Sequence, residues 1–331
     1  MSHNSEIILN VQGLSISLSE KTKKAEKVIS TDLVKDLSFS LAKGKTLALV
    51  GESGSGKSLT AQAILKLFYA PSLYIKKGAI LFQGEDLVHK NEKQMQKLRG
   101  KEIAFISQNP MSALNPTLTI GFQLMECLQE AKETAKEKSL AMLQAVGIHD
   151  VRSRFSSYPH ELSGGQKQRI LIAMSLINKP KLLIADEPTT ALDVTLQAEI
   201  LDLLRALQKK MEMALIFITH DLGIVAQIAD SVAVMYAGKI VELGSLDEIF
   251  YNPLHPYTKA LLASVPRLDY AVAAPLVTLA GCPPVAGKVQ GRCSFLERCP
   301  SAMRCCAKFE PSVSIIEGRQ IRCWNSGEKN L

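Results

Sequence analysis

The chain has 331 residues, 47% of them hydrophobic, and a formal net charge of +7. That is enough apolar material for one large core, or a core with an appendage, and the mild basic balance suits a nucleotide handler, a protein beside an anionic membrane or a soluble protein with a Lys-rich face. No run reaches the roughly 18 apolar residues needed to span a bilayer, and residues 1–6 do not open a basic-then-apolar leader. A cytoplasmic protein is therefore expected, with any membrane association arising through partners.

In chain order, residues 7–18 read as strand and residues 19–27 as a solvated, charged loop. Residues 33–41 alternate apolar and polar, as a half-buried strand does. Thr46 to Val50 is a short buried strand that runs straight into Gly51, Glu52, Ser53, Gly54, Ser55, Gly56, Lys57 and Ser58, and a helix is expected over 59–68. Strand, glycine turn and helix in that order make the pattern G-x-x-x-x-G-K-S a phosphate site. The glycines let successive N–H groups turn inward around an anion, and the helix N-terminus adds unpaired donors. Lys57 then reaches the β- and γ-phosphates, and the Ser58 hydroxyl ligates Mg²⁺.

Strands are expected at 78–84 and 103–107, the second ending at Gln108. From 109 to about 175 the pattern turns helical, with helices predicted over 124–133 and 137–146 and a stop at Gly147. Two buried strands follow, 181–186 ending in Asp186 and 214–220 ending in His220, with a helix over 197–210 between them. This is the rhythm of a parallel sheet. A hairpin is predicted over 232–243, and beyond Pro253 the chain becomes rich in Pro, Gly and Cys, which marks a C-terminal appendage.

Ligands of parallel α/β sheets bind at the carboxyl ends of strands, so Asp186 and Glu187 are expected to face the phosphate loop. Asp186 suits the holding of Mg²⁺ through metal-bound water, and Glu187 suits the base that orients the attacking water. Residues 162–166, Leu-Ser-Gly-Gly-Gln, open another helix, and paired glycines at a helix N-terminus make a second anion site. A chain with one phosphate loop has use for a second half-site if that half-site faces the γ-phosphate held by another subunit.

Taken together these motifs resemble the ATP-binding-cassette (ABC) ATPases over roughly residues 7–250. Gly51–Ser58 resembles Walker A, Gln108 the Q-loop, Leu162–Gln166 the signature, Leu183–Glu187 Walker B, Ala191 to Asp193 the D-loop and His220 the switch histidine. The fold class implied is α/β: a P-loop NTPase cassette with a RecA-like core, an antiparallel β subdomain and an α-helical subdomain at about 109–175. Residues 251–331 would form a small Cys-rich extension. The resemblance implies a head-to-tail dimer with ATP sandwiched between Walker A of one subunit and Ser163, Gly164, Gly165, Gln166 and Asp193 of the other. It also implies Mg²⁺ at Ser58, Gln108 and Asp186, and catalysis by Glu187, His220 and Gln108. There is one departure. The family places an aromatic near position 18 to stack on adenine, where this chain has Leu18.

Residues 108–116, 158–166, 185–194 and 255–262 are similar to the ATPase subunits of dipeptide and oligopeptide importers, and 317–323 lean toward the dipeptide members. The partners implied are a second ABC ATPase subunit, two permeases and a periplasmic peptide-binding protein at the inner membrane, with no nucleic acid. Uptake of nickel or antimicrobial peptides is the nearest alternative. A soluble ABC ATPase of DNA repair or translation is the alternative from another class, set against by a single cassette without long insertions.

Six of the seven cysteines fall after residue 281. Cys293, Cys299, Cys306 and Cys323, spaced x5, x6 and x16, lack paired C-x-x-C knuckles. Four thiolates in a cytoplasmic tail suit a [4Fe–4S] cluster that staples the tail, with zinc or unliganded buried thiols as the alternatives. Cys305 is a second option for the place of Cys306.

Overall fold

The computed structural model describes residues 6–21, 28–108, 113–190, 193–265, 279, 281–284, 289 and 291–325. The described residues form twelve strands. These are β1 (Ile7–Lys21), β2 (Val28–Ala42), β3 (Thr46–Val50), β4 (Leu73–Phe82), β5 (Glu85–Asp86), β6 (Ile103–Ile106), β7 (Leu182–Asp186), β8 (Ala214–Thr219), β9 (Ser231–Tyr236), β10 (Lys239–Ser245), β11 (Ser314–Ile316) and β12 (Arg319–Ile321). Every residue of β3, β7 and β8 is buried. Strands covered on both faces cannot alternate, which is why these sequences read as unbroken apolar runs.

The chain divides into two compact units. One comprises the residues up to Ile8, Ala42–Lys45 and Lys90–Phe217. Its strands lie in the order β8-β7-β6, and β6 runs parallel to β7 with Ile103 opposite Leu182 and Ile106 opposite Ala185. Its longest helix, Val194–Met211, buries Ile200, Leu201, Leu204 and Leu207, a stripe at helical spacing. The helices Ile120–Glu126, Lys132–Ala145, Val151–Ser156 and Gly164–Leu176 belong to the same unit. The helix predicted over 124–133 is displaced. Thr119 caps an earlier start by accepting the Phe122 N–H, and the chain leaves helical geometry after Cys127 before restarting at Lys132.

The second unit holds Leu9–Leu41, Thr46–His89 and the chain from Ile218 onward. It contains the sheet β2-β1-β4-β5, with β1 antiparallel to β4 (Leu9 opposite Phe82, Leu18 opposite Leu73). It also contains the strands β11-β12-β10-β9-β3, with β3 parallel to β9 from Leu47–Ser231 to Val50–Val234. The predicted hairpin is β9–β10, turning through Ala237 and Gly238 at positive φ.

The tail adds two strands to this sheet. β12 pairs antiparallel with β10, and β11 with β12, through a turn at Glu317 and Gly318 with φ 51° and 81°. Two positive φ values are what a tight two-residue hairpin turn requires. Phe295, 1% exposed, packs among Tyr236, Tyr257 and His255 with ring centroids 5.2, 5.4 and 5.8 Å away. Buried polar groups tie the same segment down. Lys239 pairs with Glu310 at 2.5 Å, and Arg322 donates to both the carbonyl and the carboxylate of Asp36 at 3.0 Å. Glu242, fully buried, accepts the N–H groups of Leu254 and His255. A proline- and cysteine-rich segment is thus held by aromatic packing and charge-assisted bonds.

Candidate active site

The phosphate loop follows β3 directly, and Lys57 is the first residue of the helix Lys57–Leu65, two residues earlier than the sequence pattern places it. Gly51 has φ +148°, and a Cβ there would stand 2.2 Å from the carbonyl oxygen of Met235. Only glycine fits. The helix begins at Gly56 with no side-chain cap, so its first N–H groups are not closed off by a capping side chain, the arrangement that suits an anion. Lys57, 6% exposed, donates through Nζ to the carbonyls of Gly51 (2.7 Å) and Glu52 (3.0 Å). Ser55 is buried, Ser53 and Gly54 are exposed, and Ser58 is partly exposed on the first turn.

Two groups missed in the sequence reach this loop from far along the chain. The Tyr257 hydroxyl accepts the backbone N–H of Glu52 at 3.0 Å, and Arg298 donates through Nη1 to the Glu52 carboxylate at 3.0 Å. Tyr257 lies within the stretch 255–262 that carried only a family likeness, and no local signal marks either residue as a partner of the loop.

In the other unit, β7 ends in Asp186, 5% exposed, followed by Glu187. Glu187 has φ +49°, the left-handed region that costs a non-glycine residue on the order of 1 kcal/mol and that collects at functional sites. Its carboxylate Oε2 accepts from Gln108 Nε2 and from Thr190 Oγ1, each at 3.1 Å. Gln108 stands two residues past the end of β6, the neighbour of β7. The parallel register therefore explains the meeting of residues 79 apart.

Ser163 caps the helix Gly164–Leu176, and the cap is reciprocal. Ser163 Oγ accepts the Gln166 N–H at 3.3 Å, while Gln166 Oε1 accepts the Ser163 N–H at 3.1 Å. Gly165 is buried, and a Cβ on it would meet Leu196 at 2.6 Å. Asp193 caps the helix that carries Leu196, accepting its N–H at 2.8 Å. Ala191 and Leu192, the rest of the predicted D-loop, lie outside the described residues. His220 is exposed immediately after β8. Leu18 is partly buried opposite Leu73.

Ser58, Gln108 and Asp186 offer a hydroxyl, an amide and a carboxylate oxygen, the donor chemistry that a hard cation such as Mg²⁺ takes. The cysteines do not fit their expected group. Burial raises the pKa of Cys293 and Cys299 and pushes Cys323 up to about 11, and Cys293, Cys299 and Cys306 add to the rise at Cys323. The Cys293 N–H donates to the Cys306 carbonyl at 2.9 Å. Among the described residues, however, no group of three or more His, Cys, Asp or Glu side chains is arranged to hold a metal ion. The expected iron–sulfur cluster at Cys293, Cys299, Cys306 and Cys323 is not supported.

Comparison with known proteins agrees with the motifs. The pattern of the ABC transporter family matches residues 34–190, and that of the oligopeptide/dipeptide transporter C-terminal region matches residues 241–306. The chain is 49% identical to the oligopeptide transport ATP-binding protein OppD of Bacillus subtilis, covering 96% of this chain and 88% of that protein. It is 48% identical to the dipeptide transport ATP-binding protein DppD of the same organism, covering 96% and 95%. With OppD of Escherichia coli the identity is 44%, covering 98% and 95%. Among solved structures, the dimeric ATP-binding cassette MJ0796 bound to ADP and Pi superimposes with a TM-score of 0.61 at 22% identity, covering 72% of this chain and 98% of that one, a likeness of fold. The chain is an ABC cassette ATPase and belongs to the family of oligopeptide and dipeptide transport ATP-binding proteins.

Proposed function

We propose that this chain hydrolyses ATP to drive import of di- and oligopeptides across a bacterial inner membrane, working as one half of a head-to-tail ATP-sandwich dimer. Residues 1–250 form the cassette, with 109–175 as its helical subdomain, and 251–331 the extension. The partners are a second ATPase subunit, two permeases and a periplasmic binding protein. No helix among the described residues is long and apolar enough to cross a membrane, and the proposal assigns the crossing to the permeases, with this chain peripheral on the cytoplasmic face. The names of the relatives support peptides as cargo.

The observation that carries the chemistry is Glu187, held at a strained φ beside a buried aspartate, with Gln108 on its carboxylate. In this reading Lys57 and the loop N–H groups of Gly51 to Ser58 bind the β- and γ-phosphates. Ser58, Gln108 and Asp186 would hold Mg²⁺, which would screen the phosphate charge when bound. Glu187 takes the proton of the attacking water, and His220 orients that water at the γ-phosphate. Ser163, Gly164, Gly165, Gln166 and Asp193 complete the nucleotide bound by the partner subunit.

In the assembled transporter, Glu187→Gln should retain ATP and lose turnover by about 100-fold or more. Normal turnover would remove Glu187 as the base. Uptake of labelled dipeptide by the wild-type complex tests the cargo, and uptake of nickel in its place would overturn the peptide assignment.

A further inference from the structure

The phosphate loop is braced from one side by the C-terminal part of the chain. Tyr257 stands in the first turn of the helix Pro256–Ala263, fully buried, and its hydroxyl accepts the Glu52 N–H at 3.0 Å. Arg298, its side chain 7% exposed, reaches the same residue from the short turn before Cys299 and donates to the Glu52 carboxylate. Its guanidinium also donates to the Tyr236 hydroxyl at 3.4 Å and lies 5.8 Å from the centre of that ring. Main chain and side chain of one loop residue are therefore gripped by two residues 205 and 246 positions away.

Both grips are themselves positioned. The rings of Tyr236 and Tyr257 lie 4.6 Å apart, and Phe295 packs edge-on against both. His255 fixes the start of the Tyr257 helix by accepting the Tyr257 N–H at 3.0 Å. Glu52 is the second residue of the loop, and its carbonyl is one of the two that Lys57 engages. Movement of Glu52 would therefore move an anchor of the lysine that the phosphates require.

We propose that Tyr257 and Arg298 are positioning residues for ATP binding, through which the C-terminal region sets the shape of the phosphate loop and hence its nucleotide affinity. They act through Glu52 and not on the reacting atoms. The proposal rests on the reading of Gly51–Ser58 as the nucleotide site.

The test uses the full chain, with binding of a fluorescent ATP analogue in the presence of Mg²⁺, and the assembled transporter for kcat and KM. Tyr257→Phe removes one hydroxyl and leaves the ring, and Arg298→Gln removes the ion pair. Each should weaken analogue binding and raise KM for ATP by roughly tenfold, the loss expected for one buried or charge-assisted bond, while kcat at saturating ATP stays within about twofold. Phe295→Leu, at a ring packed on Tyr236 and Tyr257, should weaken binding by a smaller factor through the ring cluster. Thermal melting of each variant separates this from unfolding, because the ATP effect should persist well below the melting temperature. Wild-type binding with all three variants within about twofold of it would overturn the brace and leave the nucleotide site standing. Equal losses in kcat with KM unchanged would overturn it too. Absence of binding by the wild type would instead remove the site itself.

Discussion

The two glycine turns, one in each unit, are built to opposite plans. The phosphate loop is enclosed at its start: Gly51 lies against the Met235 carbonyl, and Glu52 is held by Tyr257 and Arg298. Its helix starts uncapped. The signature turn is open on its outer side. Ser163 is exposed, and the helix caps itself through Ser163 and Gln166, while Leu162 and Gly165 are buried, Gly165 against Leu196. An anion site that must hold nucleotide by itself needs its donors fixed before binding, since ordering them afterwards would cost affinity. A site that only completes a nucleotide held elsewhere can keep its donors satisfied locally until a partner arrives.

That contrast can be broken by substitution, beginning where the effect should be largest. Gly51→Ala places a Cβ 2.2 Å from a backbone oxygen that has no freedom to retreat. It should cost about 2–4 kcal/mol and abolish nucleotide binding, measured by denaturant unfolding and ATP titration. Gly54→Ala is the control within the same loop. It has nothing within 4 Å and meets only the strain of φ +77°, so its cost should be near 1 kcal/mol. Equal effects would mean that the enclosure around Gly51 is unimportant.

A pH titration probes the brace more gently. His255 is 2% exposed, and burial lowers its pKa from 6.5 to about 3. Its neutral Nδ1 accepts the Tyr257 N–H. The unfolded chain therefore binds the proton first. The stability contributed by the neutral ring is complete above pH 6.5 and is lost as pH falls toward about 3. The slope should approach 1.4 kcal/mol per pH unit, on the order of 2.303RT. A His255→Gln variant should lose that slope between those limits in melting curves recorded against pH; an unchanged slope would assign the acid sensitivity elsewhere. The smallest effect belongs to the open turn. Ser163→Ala removes an exposed cap and should cost about 1 kcal/mol in unfolding, with ATP binding by the isolated chain unaltered.

Much of this was legible in the chain itself. The Gly51–Ser58 pattern sat between a buried strand and a helix, and β3, β7 and β8 announced themselves by continuous apolar runs. The meeting of Gln108 and Glu187 follows from two adjacent parallel strands whose carboxyl ends carry them. What stayed hidden was long-range and polar. Nothing local in Tyr257 or Arg298 points to Glu52, because a single hydroxyl or guanidinium has no periodicity to betray its partner. The helix near residue 124 was misplaced for a different reason. Its start is decided by the Thr119 cap, and an apolar pattern that continues past Cys127 hides the break. The cysteines misled because spacing alone does not specify a ligand arrangement, and among the described residues no group of three or more His, Cys, Asp or Glu side chains is set to hold a metal ion.

The central claim is that the signature turn serves a nucleotide held by another subunit. It is tested most directly by Gly164→Asp, which sets a carboxylate where an anion is to be received. ATP affinity of the isolated chain should match wild type, while ATP turnover of the assembled transporter should fall by about 100-fold or more. Turnover that survives the substitution, or ATP binding lost in the isolated chain, would contradict the account.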